Sequence, residues 1–305
     1  MSHRKAWLKK GLLIAAMGSV TAAHAEPLSP PINVVATFSV LGDLVERVAG
    51  DDARVSVLTP VNAEVHEWEL TPENFADLEN ADIVFYNGYQ LEQWMRQVEA
   101  TTQDNVSLVP VAEASKYPTQ HIGIGELQGD VDPHLWTDPR AAIAYVQVIA
   151  NELEILLPEQ AGNIQARADS VEAELEALHV ELQETLGDIP KERRVLLSSE
   201  AAFLYFSDAY DFEHDGIWGN NAETEGSPRQ LMRVIDMINE RQPAALFWES
   251  TISDRYVTSL AEDTGIPVAG PLYVDSLSEP DGEAGDYFAM QRHNAELLRR
   301  SLAAE

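Results

Sequence analysis

Four residues far apart in the chain carry the side chains that a divalent transition metal binds. His66 lies in "NAEVHEWELTP" and His134 in "DPHLWTDP", the latter held between two Asp/Pro pairs. Glu200 closes the run "RVLLSSE", and Asp275 closes "PVAGPLYVD". Two neutral imidazoles and two carboxylates balance a dication. A carboxylate can bind through one or both oxygens, so coordination can rise from four to five or six. That donor set suits manganese or ferrous iron better than an all-histidine tetrahedron does, although raw affinity still runs toward zinc. Taken singly, each residue has a plainer reading: a polar turn residue for His134, a turn cap for Asp275, a helix cap for Glu200. Of the other histidines, His3 and His24 fall in an N-terminal leader and His179 beside a helical stripe, as a surface residue. His293 falls in the last helix, and His121 and His214 carry no supporting pattern.

The elements that must position these residues form two blocks. In the first, strands are predicted at 32–39, 54–60, 82–88 and 107–111, with helical patterns such as "LGDLVERVAG" and "DPRAAIAYVQVIANELEIL" between or after them. In the second, strands are predicted at 194–200, 214–220, 244–250 and 267–275, with helices such as "SPRQLMRVIDMINERQ" intervening. Strand–helix alternation implies mainly parallel sheets flanked by helices, hence two α/β lobes. Ligands of such sheets bind outside the carboxyl ends of the strands, where Glu200 and Asp275 fall and which His66 follows by a few residues. Between the blocks, Ala161, Ile164, Ala168, Val171, Leu175, Leu178 and Leu182 recur at spacings of three and four, a narrow apolar stripe on one helix. Pro158 suits its first turn and Gly187 its C-terminal cap. The expected division is a signal peptide at 1–25, an N-terminal lobe at 26–157, a rigid linking helix at 158–187 and a C-terminal lobe at 188–305.

Composition narrows the function classes. The 305 residues are 45% hydrophobic, enough for a sizeable core, and carry a formal net charge of -31. So acidic a surface repels nucleic acid and anionic membranes. With only Lys116 and Lys191 as lysines beyond residue 25, it also suits high salt, where screening removes self-repulsion. Thermal stability that rises with added sodium chloride is the expected result, and salt-independent stability would exclude this reading. Residues 1–25 read as a secretory signal: the basic "MSHRKAWLKK", a short apolar stretch, and the small-x-small "AHA" at 23–25. The sequence contains no cysteine, which excludes disulfides, thiolate metal sites and a lipid-modified N-terminal cysteine. The expectation is a free periplasmic monomer with no membrane anchor.

In order and spacing, a set of segments resembles the cluster A-I periplasmic solute-binding proteins of metal ABC transporters, the manganese/iron/zinc family. They are "VVATFSVLGDLVERVAGDDARV", "AEVHEWELTPENFADLENADIVFYNGYQLEQWM", "DPHLWTDPRAA", "LLSSEAAFLYFSDAY", "IWGNNAETEGSPRQL", "FWESTISDRYVTSLAEDTGIP" and "LYVDSLSEPDGEAGDYFAMQRHN". The resemblance covers essentially all of the chain after residue 25. It implies His66 and His134 as two metal ligands, Glu200 at a position that is histidine in zinc-type members, and Asp275 as the fourth. It also implies two α/β lobes on one rigid backbone helix, with limited opening, and a membrane ABC permease as partner. Zinc-type members often carry a His- and acid-rich loop before the second ligand. Here that region holds only His121, which with Glu200 favours manganese or iron over zinc. The runner-up readings are a zinc-specific binder of the same family and a 2-His/carboxylate metalloenzyme. Against an enzyme, the chain has no HExxH helix, no Ser/His/Asp signature and no Gly-rich phosphate loop; Glu67 and Glu249 fit structural neighbours better than bases.

Overall fold

The computed structural model describes residues 29–125, 127–219 and 227–303. The expected signal peptide and Asn220, the last residue of one predicted strand, lie outside them. The first lobe holds β1 (Ile32–Phe38), α1 (Ser39–Ala49), β2 (Ala53–Thr59), α2 (Pro72–Glu79), β3 (Ile83–Tyr86), α3 (Met95–Thr101), β4 (Ser107–Pro110), α4 (Val111–Ser115) and α5 (Pro139–Leu156). Then come the linking helix α6 (Ala161–Gly187) and the second lobe: β5 (Val195–Glu200), α7 (Leu204–Tyr210), β6 (Glu213–Trp218), α8 (Pro228–Arg241), β7 (Leu246–Glu249), α9 (Arg255–Thr264), β8 (Val268–Leu272) and α10 (Tyr287–Leu302).

The first four strands form one parallel sheet in the order β2-β1-β3-β4. In the second lobe β5 pairs with β6 and β7 with β8, both parallel, and β5 lies against β7. Strand side chains alternate between faces, so a strand buried on both sides must feed two cores. Val34, Ala36 and Phe38 of β1 join the large core that α1, α5 and α6 cover, whereas Val35 joins a smaller one with Leu78, Trp94 and Val98. In the same way, Leu196 and Phe247 face the large core, while Leu197 and Leu246 face a third core with Val234, Ile238 and Leu260. One hydrophobic core therefore runs from lobe to lobe beneath the linking helix.

The 27 residues of α6 span about 40 Å at about 1.5 Å per residue. Ile164, Ala168, Val171, Leu175, Leu178 and Leu182 of the predicted stripe are buried, and Leu186 extends it. Near its start Arg167 donates to the carbonyls of Val48 and Ala49 (2.7 and 2.8 Å) and pairs with Asp52 (2.7 Å). Near its end His179 Nδ1 lies 3.1 Å from the Tyr210 hydroxyl and Glu181 pairs with Arg292 (2.8 Å). His179 is thus half-buried against the second lobe rather than a plain surface residue. The predicted caps also differ. Residues 158–160 form a turn, and the helix begins at Ala161. Gly187 is its last helical residue with no left-handed backbone, and Asp188, Ile189 and Pro190 end it. The proline supplies the stop that the glycine was expected to give.

Candidate metal centre

Each candidate side chain is set by the element beside it. His66 sits in the loop between β2 and α2. The Thr71/Asn74 capping box starts α2, with Pro72 in its first turn. Asn74 also accepts from Trp68 Nε1 (3.0 Å) and donates to the Leu58 carbonyl (3.1 Å), while Trp94 Nε1 holds the Val65 carbonyl (2.7 Å). Both ends of the loop are thereby pinned. His134 precedes a short turn of 3₁₀ helix, Leu135–Thr137, and then α5, which Asp138 caps by accepting from Arg140 N–H (2.9 Å).

Glu200 is the last residue of β5, as predicted, but α7 begins only at Leu204. Gly216 of β6 lets the neighbouring strand approach: a Cβ there would lie 2.5 Å from Ala201 N and 2.7 Å from Glu200 C. Asp275 lies beyond the strand predicted to contain it, because β8 ends at Leu272. The backbone leaves the sheet there to pair with a side chain of α10. Tyr273 N–H donates to Asn294 Oδ1 (2.9 Å), and Asn294 Nδ2 donates back to the Tyr273 carbonyl (2.6 Å).

These four residues, from both lobes, converge on one point. His66 Nε2 lies 3.5 Å from Glu200 Oε1 and 3.6 Å from Asp275 Oδ2, and His134 Nε2 lies 3.4 Å from Asp275 Oδ1. Donor atoms of His66, His134 and Glu200 all lie within 4.8 Å of one another. All four residues are 0–1% exposed. His66 Nε2, both oxygens of Glu200 and both oxygens of Asp275 are buried without a hydrogen-bond partner among the described residues. Buried polar atoms are rarely left so, and this cluster brings together donor types that could hold a cation.

The electrostatics fit that reading. Burial disfavours a charged imidazole at His66, yet Asp275, Glu200 and Glu64 hold its pKa up to about 9. His134 is raised well above its ordinary value against the same burial effect, by Asp132 and Asp275. Burial pushes Glu200 well above the usual carboxylate range, with His66 opposing and Asp275 reinforcing. Burial also acts to raise Asp275, but the two imidazoles outweigh it and hold its carboxyl below that range. The facing carboxylates therefore favour the protonated form of both imidazoles.

Three further residues support the cluster; the sequence pointed to Asp132 as part of the Asp/Pro pair before His134 and to Glu249 as a structural neighbour, and gave no signal for Tyr205. Asp132 Oδ1 accepts from both the backbone N–H (2.9 Å) and Nδ1 (2.8 Å) of His134, which leaves Nε2 facing the cluster. Glu249 is buried, which pushes its carboxyl up to about 8, and it accepts from the backbone N–H of Glu200 (3.2 Å). It acts on the strand end, in keeping with a structural role, and Glu67 is exposed. Tyr205 of α7 reaches across to the first lobe: its hydroxyl accepts from Gln120 N–H (3.0 Å) and donates to the Asp132 carbonyl (3.0 Å). Tyr205→Phe should leave those backbone groups unsatisfied at a cost of about 1–3 kcal/mol. The expected result is metal release several-fold faster, read by stopped-flow transfer to a chelator; an unchanged release rate would show that the hydroxyl does not steady the His134 loop.

Other contacts tie the lobes beside the site. Trp136 Nε1 donates to the Val274 carbonyl (2.9 Å), Leu277 N–H to Ser39 Oγ (2.9 Å), and Asn62 N–H to Ser276 Oγ (2.7 Å). Such bonds, with the shared core and α6, oppose wide separation of the lobes.

Comparison with known proteins gives a consistent picture. The family model for the periplasmic zinc-uptake complex component A matches residues 34–301. The chain is 34% identical to the manganese-binding lipoprotein MntA of Halalkalibacterium halodurans over 89% of both chains. It is 35% identical to the iron-binding protein YfeA of Yersinia pestis over 84% of this chain and 82% of that one. The solved periplasmic zinc binding protein TroA of Treponema pallidum superposes with a TM-score of 0.83 at 28% identity, over 90% of this chain and all of that one. Among the described residues no helix is long and apolar enough to cross a membrane.

Proposed function

Because the chain belongs to the family of the periplasmic zinc-uptake complex component A, we propose that it captures one divalent transition metal ion between its lobes and hands it to a membrane ABC permease for uptake. The observation that carries the site is the convergence of His66 and His134 from one lobe with Glu200 and Asp275 from the other, all buried and facing one another. On this reading the lobes are residues 26–157 and 188–305, and the helical segment 158–187 joins them. The metal is the cargo. An enzyme would keep a coordination position open to substrate, whereas this enclosed donor set favours a binder.

Two carboxylates against two imidazoles favour manganese or ferrous iron, and the relatives named for manganese and iron agree with that choice. Zinc is the second reading, since the family model is named for it and the Irving–Williams order favours it. We further propose that the chain acts as a periplasmic monomer; the matching family model and the solved TroA structure are both described as periplasmic. Metal analysis and competition titration of the purified protein test the assignment. One manganese or iron per chain is the expected result, and preferential retention of zinc under competition would reverse the choice of metal.

A further inference from the structure

Glu64 stands two residues before His66 as Asp132 stands two before His134, but the two carboxylates behave differently. Asp132 Oδ1 takes both the backbone N–H and Nδ1 of its histidine. Glu64 Oε1 accepts the backbone N–H of His66 (3.0 Å), while its Oε2 is buried without a hydrogen-bond partner among the described residues. The Thr251 hydroxyl approaches the same carboxylate, yet its Oγ1 is unpartnered too. Glutamate is one methylene longer than aspartate, and here that length carries the carboxylate toward the cluster. A Glu64 oxygen, a ring nitrogen of His66 and an Asp275 oxygen all lie within 4.8 Å of one another. Two donors about 2.0–2.2 Å from one ion stand at most about 4.4 Å apart, and three mutually spaced ones at most about 3.8 Å, so a shift of up to about 1 Å would bring Glu64 onto an ion shared with His66 and Asp275. His134 and Glu200 form a separate grouping that also includes His66, so a five-donor site needs Glu64 to move further inward.

We propose that Glu64 is a fifth donor of the metal site and favours manganese or ferrous iron over zinc. The inference rests on the metal-capture reading above and adds a determinant of selectivity to it. Ions that take five or six oxygen-rich ligands gain a bond from a third carboxylate. Zinc, content with four, gains little from it. The reach of Glu64 then converts a site of modest preference into a selective one without changing the other four donors.

The test is competition titration of the full chain with manganese chloride and zinc chloride, together with electron paramagnetic resonance of bound Mn²⁺. It compares wild type, Glu64→Gln and Glu64→Asp. Glutamine keeps an acceptor for the His66 N–H and almost the same volume, but is a poor ligand; aspartate keeps the charge but not the reach. Both variants should lose manganese affinity on the order of tenfold or more, with zinc affinity within about twofold of wild type, and both should alter the Mn²⁺ spectrum. An unchanged manganese-to-zinc ratio in Glu64→Gln overturns the proposal. So does an equal loss for both metals, which would make Glu64 a positioning residue for His66 alone. Failure of the wild-type chain to take up either metal would instead overturn the capture reading itself, and this is measured first.

Discussion

Asp275→Ala should abolish high-affinity metal uptake, with a loss on the order of 100-fold or more for manganese and zinc alike, because it removes a proposed metal ligand. Asp275 faces both imidazoles, with its two oxygens 3.6 Å from His66 Nε2 and 3.4 Å from His134 Nε2. Its removal takes away a donor and half of the proposed charge balance for a dication. The metal-free chain suffers as well. The imidazolium groups lose a counter-charge that faces both of them, and breaking a buried ion pair by deleting one partner costs about 3–5 kcal/mol. Asp275→Asn keeps the shape and separates loss of ligation from loss of folding. Isothermal titration read beside thermal denaturation of both variants decides the matter. His179→Ala is the control, expected to bind metal as wild type does, since His179 packs on Tyr210 away from the cluster. Wild-type affinity in Asp275→Asn would remove Asp275 from the site.

Metal and protons should compete, and the competition should set both affinity and stability across neutral pH. A metal needs the imidazole lone pair that a proton occupies in its absence. The His66 pKa is held up to about 9 by its carboxylate neighbours. Below that pH each proton displaced from such a group should make apparent affinity rise about tenfold per pH unit, levelling off above it. The stability of the metal-free chain runs the other way. A folded pKa raised above the unfolded value of about 6.5 gives stability fully present below 6.5 and lost as pH rises through about 9. For His66 that is roughly 3 kcal/mol at most. The raised Glu200 acts in the same direction, and the lowered Asp275 matters only in acid, below the ordinary carboxylate range. Between pH 6.5 and 9 the metal-free melting temperature should therefore fall while the shift produced by saturating Mn²⁺ grows. Paired melting curves at fixed ionic strength measure both. A metal-induced shift independent of pH would mean that the imidazoles are already neutral and would overturn the proton-competition argument.

The parts legible without coordinates are those that repeat or that sit at chain signals. Alternation of strand and helix gave two α/β blocks, because a strand buried on both faces needs helices on both sides, as Val34 and Val35 of β1 illustrate. The spacing of Ile164, Ala168, Val171, Leu175 and Leu178 gave the linking helix, since side chains three and four apart share a face. Glu200 and its strand end followed from the same local patterning. The caps of α6 were misread because proline and glycine preferences are statistical, and Pro190 ends that helix without help from Gly187. Asp275 was read as a strand end because the run "PVAGPLYVD" is continuous in sequence. The partner that draws the chain out of the sheet, Asn294, is nineteen residues further on.

By itself, the sequence determined the residue types of the proposed donors, their loops and the lobes that carry them, because these depend on residue identity and short-range periodicity. It left open whether four separated polar residues meet. Their meeting depends on β5, β8 and the two histidine loops being brought together by α6 and a core that crosses both lobes, which is a property of long-range packing. The tertiary structure also decided the supporting roles. Asp132 fixes the His134 ring, Glu249 holds the end of β5, Tyr205 reaches between lobes, and Glu64 turns inward where Glu67 turns out. Such roles depend on distances of a few ångströms between side chains that the chain order does not relate. Hydrogen bonding and coordination act only at those distances.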